Sequence, residues 1–153
     1  MPEIEPVRWL LEHSCVVICA GGGGIPVVAD AEGQHRGVEA VVNKDRSAAM
    51  LAAKLKANLF VIETDVQGVY LDWGKPSLRL LARANAAALG ELPFSAGSMA
   101  PKVEAACDFA SRRGRRSVIG VLSDIEAVIA GNAGTSIDAT ATGIEEAVAT
   151  QPS

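Results

Sequence analysis

The stretch Val16-Val17-Ile18-Cys19-Ala20-Gly21-Gly22-Gly23-Gly24-Ile25-Pro26-Val27-Val28 governs how the rest of the chain is read. Five consecutive apolar residues run straight into four glycines. An uninterrupted apolar run ending at a turn signal is expected of a strand covered on both faces, as in a parallel α/β sheet. Glycine reaches φ > 0 and carries no Cβ, so a glycine run lets main-chain N–H groups close on an anion such as phosphate or carboxylate. A flexible turn between strands satisfies the same residues. Ile25-Pro26-Val27-Val28 reads as extended, which argues against a dinucleotide-binding fingerprint, whose glycines open a helix. No Gly-Lys-Ser/Thr follows, so there is no Walker A loop either.

Upstream, Ile4, Val7, Leu10 and Leu11 recur at i, i+3, i+6 and i+7, one buried face of an opening helix of about ten residues. A helix starting so near residue 1 reads as the middle of an α/β unit whose first strand lies upstream of Met1. Downstream, Asp30–Gly37 is polar and forms a surface loop or hairpin, and Val38–Val42 is a short strand. Asn43-Lys44-Asp45 then marks a strand-to-helix junction. Ala48, Leu51, Ala52 and Leu55 supply the helical spacing, and Asn43 or Asp45 supplies the cap. Lys44 opposes the helix dipole, at about 0.3–1 kcal/mol if exposed. Either it points into solvent, or an anion held at the junction reverses the sign.

Leu59–Glu63 is a second buried strand, ending at Thr64-Asp65. Carboxyl ends of strands are where open α/β sheets collect ligands. Val69–Asp72 reads as a strand, Trp73–Pro76 as a turn, Leu78–Leu81 as a strand and Arg83–Gly90 as a helix ending at its glycine. In Phe94-Ser95-Ala96-Gly97-Ser98-Met99-Ala100-Pro101-Lys102, Pro101 disfavours a helical Ala100, so the next helix is expected from Pro101. Val103, Ala106, Cys107 and Ala110 give its core face, and Lys102 falls in its first turn. Two lysines at the unfavourable ends of two helices point to a shared anion site, bordered by Gly21–Gly24. Arg112–Arg116 is a solvated helix end, Ser117–Leu122 a buried strand, and Ser123-Asp124-Ile125-Glu126 a capping box before a short helix. Thr135–Ile137 is a last short strand, and the Ala/Thr/Gly-rich residues from Asp138 onward are peripheral.

The totals narrow the function. A chain of 153 residues is one domain. A formal charge of −4 argues against nucleic acid or an anionic membrane as partner. Aromatics are only 4%, so Ala, Val, Ile and Leu build the core. No apolar run reaches the roughly 18 residues of a membrane span, and the start has no signal-peptide pattern. Cys15, Cys19 and Cys107 lack Cys-x-x-Cys spacing and are read as small buried residues of a reducing cytoplasm. His13 and His35 suggest no metal site. Apolar strands alternating with period-3.6 helices give an α/β fold: a three-layer α/β/α sandwich with a largely parallel central sheet.

The ordered segments Ala20–Val28, Asn43-Lys44-Asp45, Thr64-Asp65-Val66-Gln67-Gly68-Val69-Tyr70, Gly97–Ala106 and Gly134-Thr135-Ser136-Ile137 resemble the C-terminal half of a carbamate kinase, in the amino-acid kinase superfamily. The four-glycine Ile-Pro-Val loop and the Gly-Ser-Met-x-Pro-Lys junction set this family apart from uridylate and acetylglutamate kinases. The resemblance implies an amino-acid kinase fold, with residues 1–139 as its nucleotide-binding half and 140–153 as a peripheral tail. It implies phosphoryl transfer between carbamoyl phosphate and MgADP, giving ATP and carbamate, with Mg2+ bound through the nucleotide phosphates and no protein-held metal. By resemblance, Lys44, Asp45 and Lys102 are catalytic, with the Asp45 carboxylate orienting lysines. Gly21, Gly22, Gly23 and Gly24 border the transferred phosphoryl and carbamate, and Thr64, Asp65 and Lys102 hold the nucleotide. The expected partners are these small molecules, and a second copy or a missing N-terminal half. Asn43 stands where the family carries Asp, and Ala100 where it carries Gly. The family's N-terminal Gly-Gly-Asn segment and a further active-site lysine have no counterpart here. A non-catalytic remnant or interaction module retaining the fold is the competing expectation.

Overall fold

In the computed structural model, residues 4–94, 97–113 and 115–147 are described. Parts of three expectations fall outside them: Ser95-Ala96 of the second lysine junction, Gly114 of the arginine cluster, and the end of the tail.

Helix α1 (Ile4–Glu12) forms where its apolar spacing places it, but its expected face is at most half-buried and no residue of α1 is fully buried. The expected Val16–Ala20 strand does not form. Those residues lie in no strand, and Val16 is 95% and Ile18 97% exposed. The same holds for the expected strand at Val38–Val42, where Val41 is 97% exposed. Apolar, β-branched composition favours a strand, yet a strand exists only where a neighbour pairs its N–H and C=O groups. No described strand pairs with these two segments, whose contacts of this kind are local ones such as Val38 N donating to Pro26 O at 3.1 Å. Cys15 and Cys19 are accordingly exposed rather than buried, whereas Cys107 is buried and its thiol is pushed up to about 11 by desolvation. Between the two segments, β1 (Val27–Ala29) and β2 (His35–Gly37) form an antiparallel hairpin whose turn is held by the Asp30 carboxylate accepting from Gln34 N.

Helix α2 (Lys44–Lys54) is capped by Asn43, whose Oδ1 accepts from the N–H groups of Asp45 (2.9 Å) and Arg46 (3.1 Å). Of the two cap candidates, Asn43 is thus the one used. Ser47 and Ala49 are its most buried residues, and the expected face of Ala48, Leu51, Ala52 and Leu55 is half-buried.

The central sheet begins with β3 (Leu59–Thr64), whose alternate residues Phe60, Ile62 and Thr64 are buried. Next in sequence are β4 (Tyr70–Leu71) and β5 (Arg79–Asn85). Strand β5 runs through Arg83, Ala84 and Asn85, where a helix was expected. Arg83 pairs with Ser136 and Glu145 on its two sides, and its guanidinium meets Asp138 at 2.9 Å, so tertiary pairing overrides local propensity. Asn85 then caps the short α3 (Ala86–Gly90), which does end at its glycine. Helix α4 (Met99–Arg113) starts before Pro101 rather than at it. Proline is tolerated in a first helical turn because its missing N–H would have no partner there. Strand β6 (Arg116–Val121) follows, then a 3-10 turn (Leu122–Asp124) and α5 (Ile125–Ala130). The capping box does not form: the Ser123 hydroxyl turns to the Asp124 carboxylate instead. Gly131, at φ 86, ends α5. Strand β7 (Thr135–Asp138) is buried throughout. In the stretch expected as a peripheral tail, β8 (Ile144–Glu146) adds a further strand against β5.

The sheet order is β3-β6-β7-β5-β4, with β8 beside β5. Its longest register, six residues from Leu59↔Arg116 to Thr64↔Val121, is parallel, and so is β5/β7. β7 runs antiparallel to β6, and β4 and β8 antiparallel to β5, so the sheet is mixed. Ser117 Oγ donates to Ala106 O at 2.8 Å, which fixes the α4 side of β6. Alternation then turns Gly120 to the opposite face, where Val128 of α5 packs on it. Helices thus lie on both faces, and Phe109, Leu81, Leu89, Ile119 and Ile137 are fully buried.

Candidate functional site

The first turns of α2 and α4 lie side by side at the carboxyl end of β3. The two helices pack along their lengths, and Arg46 Nη2 meets Glu104 Oε2 across them at 2.6 Å. Between their starts is a cleft of about 700 Å³. Asn43, Lys44 and Asp45 line one wall, Ser98, Pro101 and Lys102 another, and Glu63, Thr64 and Asp65 of β3 and its turn complete it. Five of the residues expected at the site, Lys44, Asp45, Thr64, Asp65 and Lys102, are therefore brought together.

Lys102 dominates the electrostatics. The residue is only 8% exposed, and its Nζ stands 3.4 Å from Asp45 Oδ1. Their side chains are 10% and 13% exposed. A cation nearly withdrawn from water is costly, and the positive end of a 15-residue helix adds to that cost. Asp45 offsets both. An ammonium has three N–H donors and, among the described residues, this one has a single partner at 3.4 Å, so donors remain for an anion entering the cleft. Lys44 is exposed at the rim, and the Thr64 hydroxyl donates to Asp65 Oδ1 at 3.2 Å.

The glycines do not share this cleft. Gly23 and Gly24 line a separate, mainly apolar groove of about 730 Å³ with Ile4, Val7, Ile25 and Val42. Gly21 and Gly22 face open space. The loop is flanked by the unpaired 15–20 segment, so no sheet ladder draws it across the cleft. It nevertheless abuts the cleft's margin: Gly23, at φ 151, lies so close to Val42 O that a Cβ could not fit, and Val42 directly precedes Asn43.

A smaller pocket of about 260 Å³ shares Asp65 and Ser98 with the cleft and is lined by Val66, Tyr70, Trp73, Phe94 and Met99. Tyr70 and Trp73 meet edge-on, with ring centroids 5.4 Å apart. Sequence reasoning gave these side chains no role. The available signal was scarcity: the pocket gathers the chain's only tyrosine, one of two tryptophans and one of three phenylalanines. An aromatic slot opening beside an ammonium-lined cleft suits a flat base carrying phosphates. Among the described residues no group of three or more His, Cys, Asp or Glu is placed to hold a metal ion, and no helix is long and apolar enough to cross a membrane.

The sequence profile of the Amino acid kinase family matches residues 3–120. The carbamate kinase of Haemophilus influenzae is 51% identical over 142 residues, covering 93% of this chain and 46% of that protein. For the carbamate kinase of Rhizobium meliloti the identity is 46%, over 88% of this chain and 42% of that protein. The chain thus spans about half the length of the curated relatives it matches. Among solved structures, carbamate kinase from Giardia lamblia bound to AMP-PNP superimposes with a TM-score of 0.82 at 33% identity, covering 89% of this chain and 49% of that one.

Proposed function

The chain belongs to the amino acid kinase family, and from that premise we propose that its cleft holds the phosphates of an adenine nucleotide during phosphoryl transfer between carbamoyl phosphate and MgADP. In that reaction an oxygen of the ADP β-phosphate bonds to phosphorus, the bond from phosphorus to the carbamoyl oxygen breaks, and carbamate leaves. The observation that carries the reading is the nearly buried Lys102 ammonium, held by Asp45 at a helix start and facing a cleft.

The roles follow from charge and position. Lys102 donates to the nucleotide phosphates while Asp45 fixes its direction. Lys44, exposed at the rim, neutralises charge that develops on the transferred group. Thr64 and Asp65 border the phosphates, and the aromatic pocket beside Asp65 receives the base. Gly21–Gly24, abutting the cleft through Val42, border the carbamate end. Mg2+, when it accompanies the nucleotide, supplies further charge neutralisation through the phosphates. Positioning and charge neutralisation are the main demands of phosphoryl transfer, so this set of residues suits it. The name of the Giardia lamblia structure, bound to AMP-PNP, and the carbamate kinase names of the relatives support the choice of nucleotide and substrate.

Among the described residues, the charged donors of the cleft, Lys44 and Lys102, come from the starts of α2 and α4. The apolar segments 16–20 and 38–42, which join no sheet, are where a further body of protein, either another half of the fold or a second copy, would pack. Residues 1–139 act, on this reading, as the nucleotide-binding half. A fold-keeping module without catalysis is separated from it by nucleotide binding. Titrating the chain with MgADP should give saturable binding, and Lys102→Ala should weaken it by at least about 1 kcal/mol, the scale of a charge-assisted hydrogen bond. Affinity unchanged by that substitution excludes Lys102 from the role.

A further inference from the structure

Trp73 is 64% exposed, in the turn between β4 and β5, yet its ring lines the aromatic slot and meets Tyr70 edge-on. A ring left so far in water is not placed by burial. Its direction comes from the backbone that carries it.

That backbone is held through its neighbour. Asp72 sits at φ 55, in the left-handed region that Asp and Asn enter more readily than other side chains. Its carbonyl oxygen accepts from Lys75 N at 3.0 Å, which closes the turn with Trp73 inside it. Its carboxylate is gripped from two directions. Lys75 Nζ donates to Oδ1 at 3.0 Å from within the turn, and Arg79 Nη2 donates to Oδ2 at 3.4 Å from β5. Arg79 also meets Glu146 of β8 at 2.6 Å, so the charges tie the turn to two strands. A lone exposed ion pair contributes little, whereas a network converging on one carboxylate can hold a geometry. The facing ring is fixed separately: Tyr70 pairs with Leu80 in the sheet, and its hydroxyl donates to Gln67 Oε1 at 3.0 Å.

We propose that Asp72 is a positioning residue for nucleotide binding, whose carboxylate, held by Lys75 and Arg79, fixes the left-handed turn that sets the Trp73 ring as the wall on which the base stacks. The inference rests on reading the slot as the seat of the base. Asp72 itself is not among the residues lining the slot, so its effect on affinity runs through Trp73.

A double-mutant cycle on MgADP affinity tests this, because a residue that acts through another loses its effect once the other is gone. Trp73→Ala should weaken binding about fivefold or more, the scale of one aromatic ring stacked on a base. Asp72→Gly removes the carboxylate and keeps the backbone relaxed, since glycine adopts positive φ freely. It should weaken binding about threefold, within the reach of an exposed ionic network. In the Trp73→Ala background the same substitution should change nothing. Asp72→Asn, which tolerates the left-handed backbone and drops the charge, is the second variant and should follow the same pattern. If both Asp72 variants bind MgADP as tightly as the unaltered chain, or lose as much affinity without Trp73 as with it, the assignment alone is overturned. Trp73→Ala without effect overturns the slot as the seat of the base, and the assignment with it. No MgADP binding by the unaltered chain overturns the reading of the cleft as well.

Discussion

Lys102 and Asp138 are both nearly buried charges, and they sit in opposite kinds of environment. Lys102 has one carboxylate partner at 3.4 Å and open space beyond it. Asp138 has all its needs met. Burial alone would push its carboxyl up, but Arg83, the Thr140 hydroxyl and the N–H groups of Thr140 and Ala141 outweigh that and hold it at about 2. A charge so fully satisfied is structural, whereas a charge with spare donors beside a cleft is poised for a ligand. The depressed value of Asp138 has a testable sign. A carboxyl whose folded pKa lies below its unfolded value of 3.8 adds stability that is present above pH 3.8 and lost as pH falls toward 2. In urea titrations between pH 6 and pH 2, the unaltered chain should lead Asp138→Asn by on the order of 1 kcal/mol at the upper end, after allowance for solvent screening. That lead should vanish toward pH 2. A lead that is the same at both ends contradicts the pairing of Asp138 with Arg83.

At the scale of elements, one hydroxyl of β7 ties together two segments that the sheet ladder does not join through it. Thr135 Oγ1 accepts from Val69 N at 2.8 Å and donates to Leu81 O at 2.6 Å, all within fully buried surroundings. Thr135→Val keeps the shape and strands a buried N–H and a buried C=O. The expected loss is about 1–3 kcal/mol, read from the shift of the urea midpoint, and a loss within error of zero contradicts this bridging role. This bridge was not legible in the sequence, because it joins residues 66 positions apart. The site was more legible than the bridge. Lys44 and Lys102 stood out locally, each a cation at the start of a helix, and Thr64-Asp65 marked the end of an apolar strand. Local pattern also gave α2, β3, α4 and β6. It failed where a distant neighbour decides the outcome. Val16–Ala20 has strand composition and no strand beside it, while Arg83–Asn85 has helical composition and strands on both sides. The aromatic pocket of Tyr70, Trp73 and Phe94 was hidden for the same reason, since two separate stretches, 65–73 and 94–99, build it.

For the whole molecule, two apolar segments, 16–20 and 38–42, join no sheet, and Val16, Ile18 and Val41 within them are each at least 95% exposed. On the proposed function, this surface is where another body of protein would pack. The chain also spans about half of its curated relatives. Phosphoryl transfer requires donors around the whole transferred group, and on the proposed function the cleft would supply them from the α2 and α4 side. The 153-residue chain by itself should accordingly make little or no ATP from carbamoyl phosphate and MgADP in a coupled assay. Turnover of roughly 1–100 per second, ordinary for kinases, would mean that the cleft is catalytically complete as it stands.

The location of nucleotide binding is tested most directly by amide chemical-shift mapping of the isotope-labelled chain as MgADP is added. The predicted result is a saturable set of shifts centred on Asn43–Asp45, Thr64–Asp65 and Ser98–Lys102, extending to Tyr70 and Trp73, and abolished or weakened in Lys102→Ala. Shifts confined to the groove between α1 and the glycine loop, or no shifts at saturating MgADP, would contradict the assignment of the cleft.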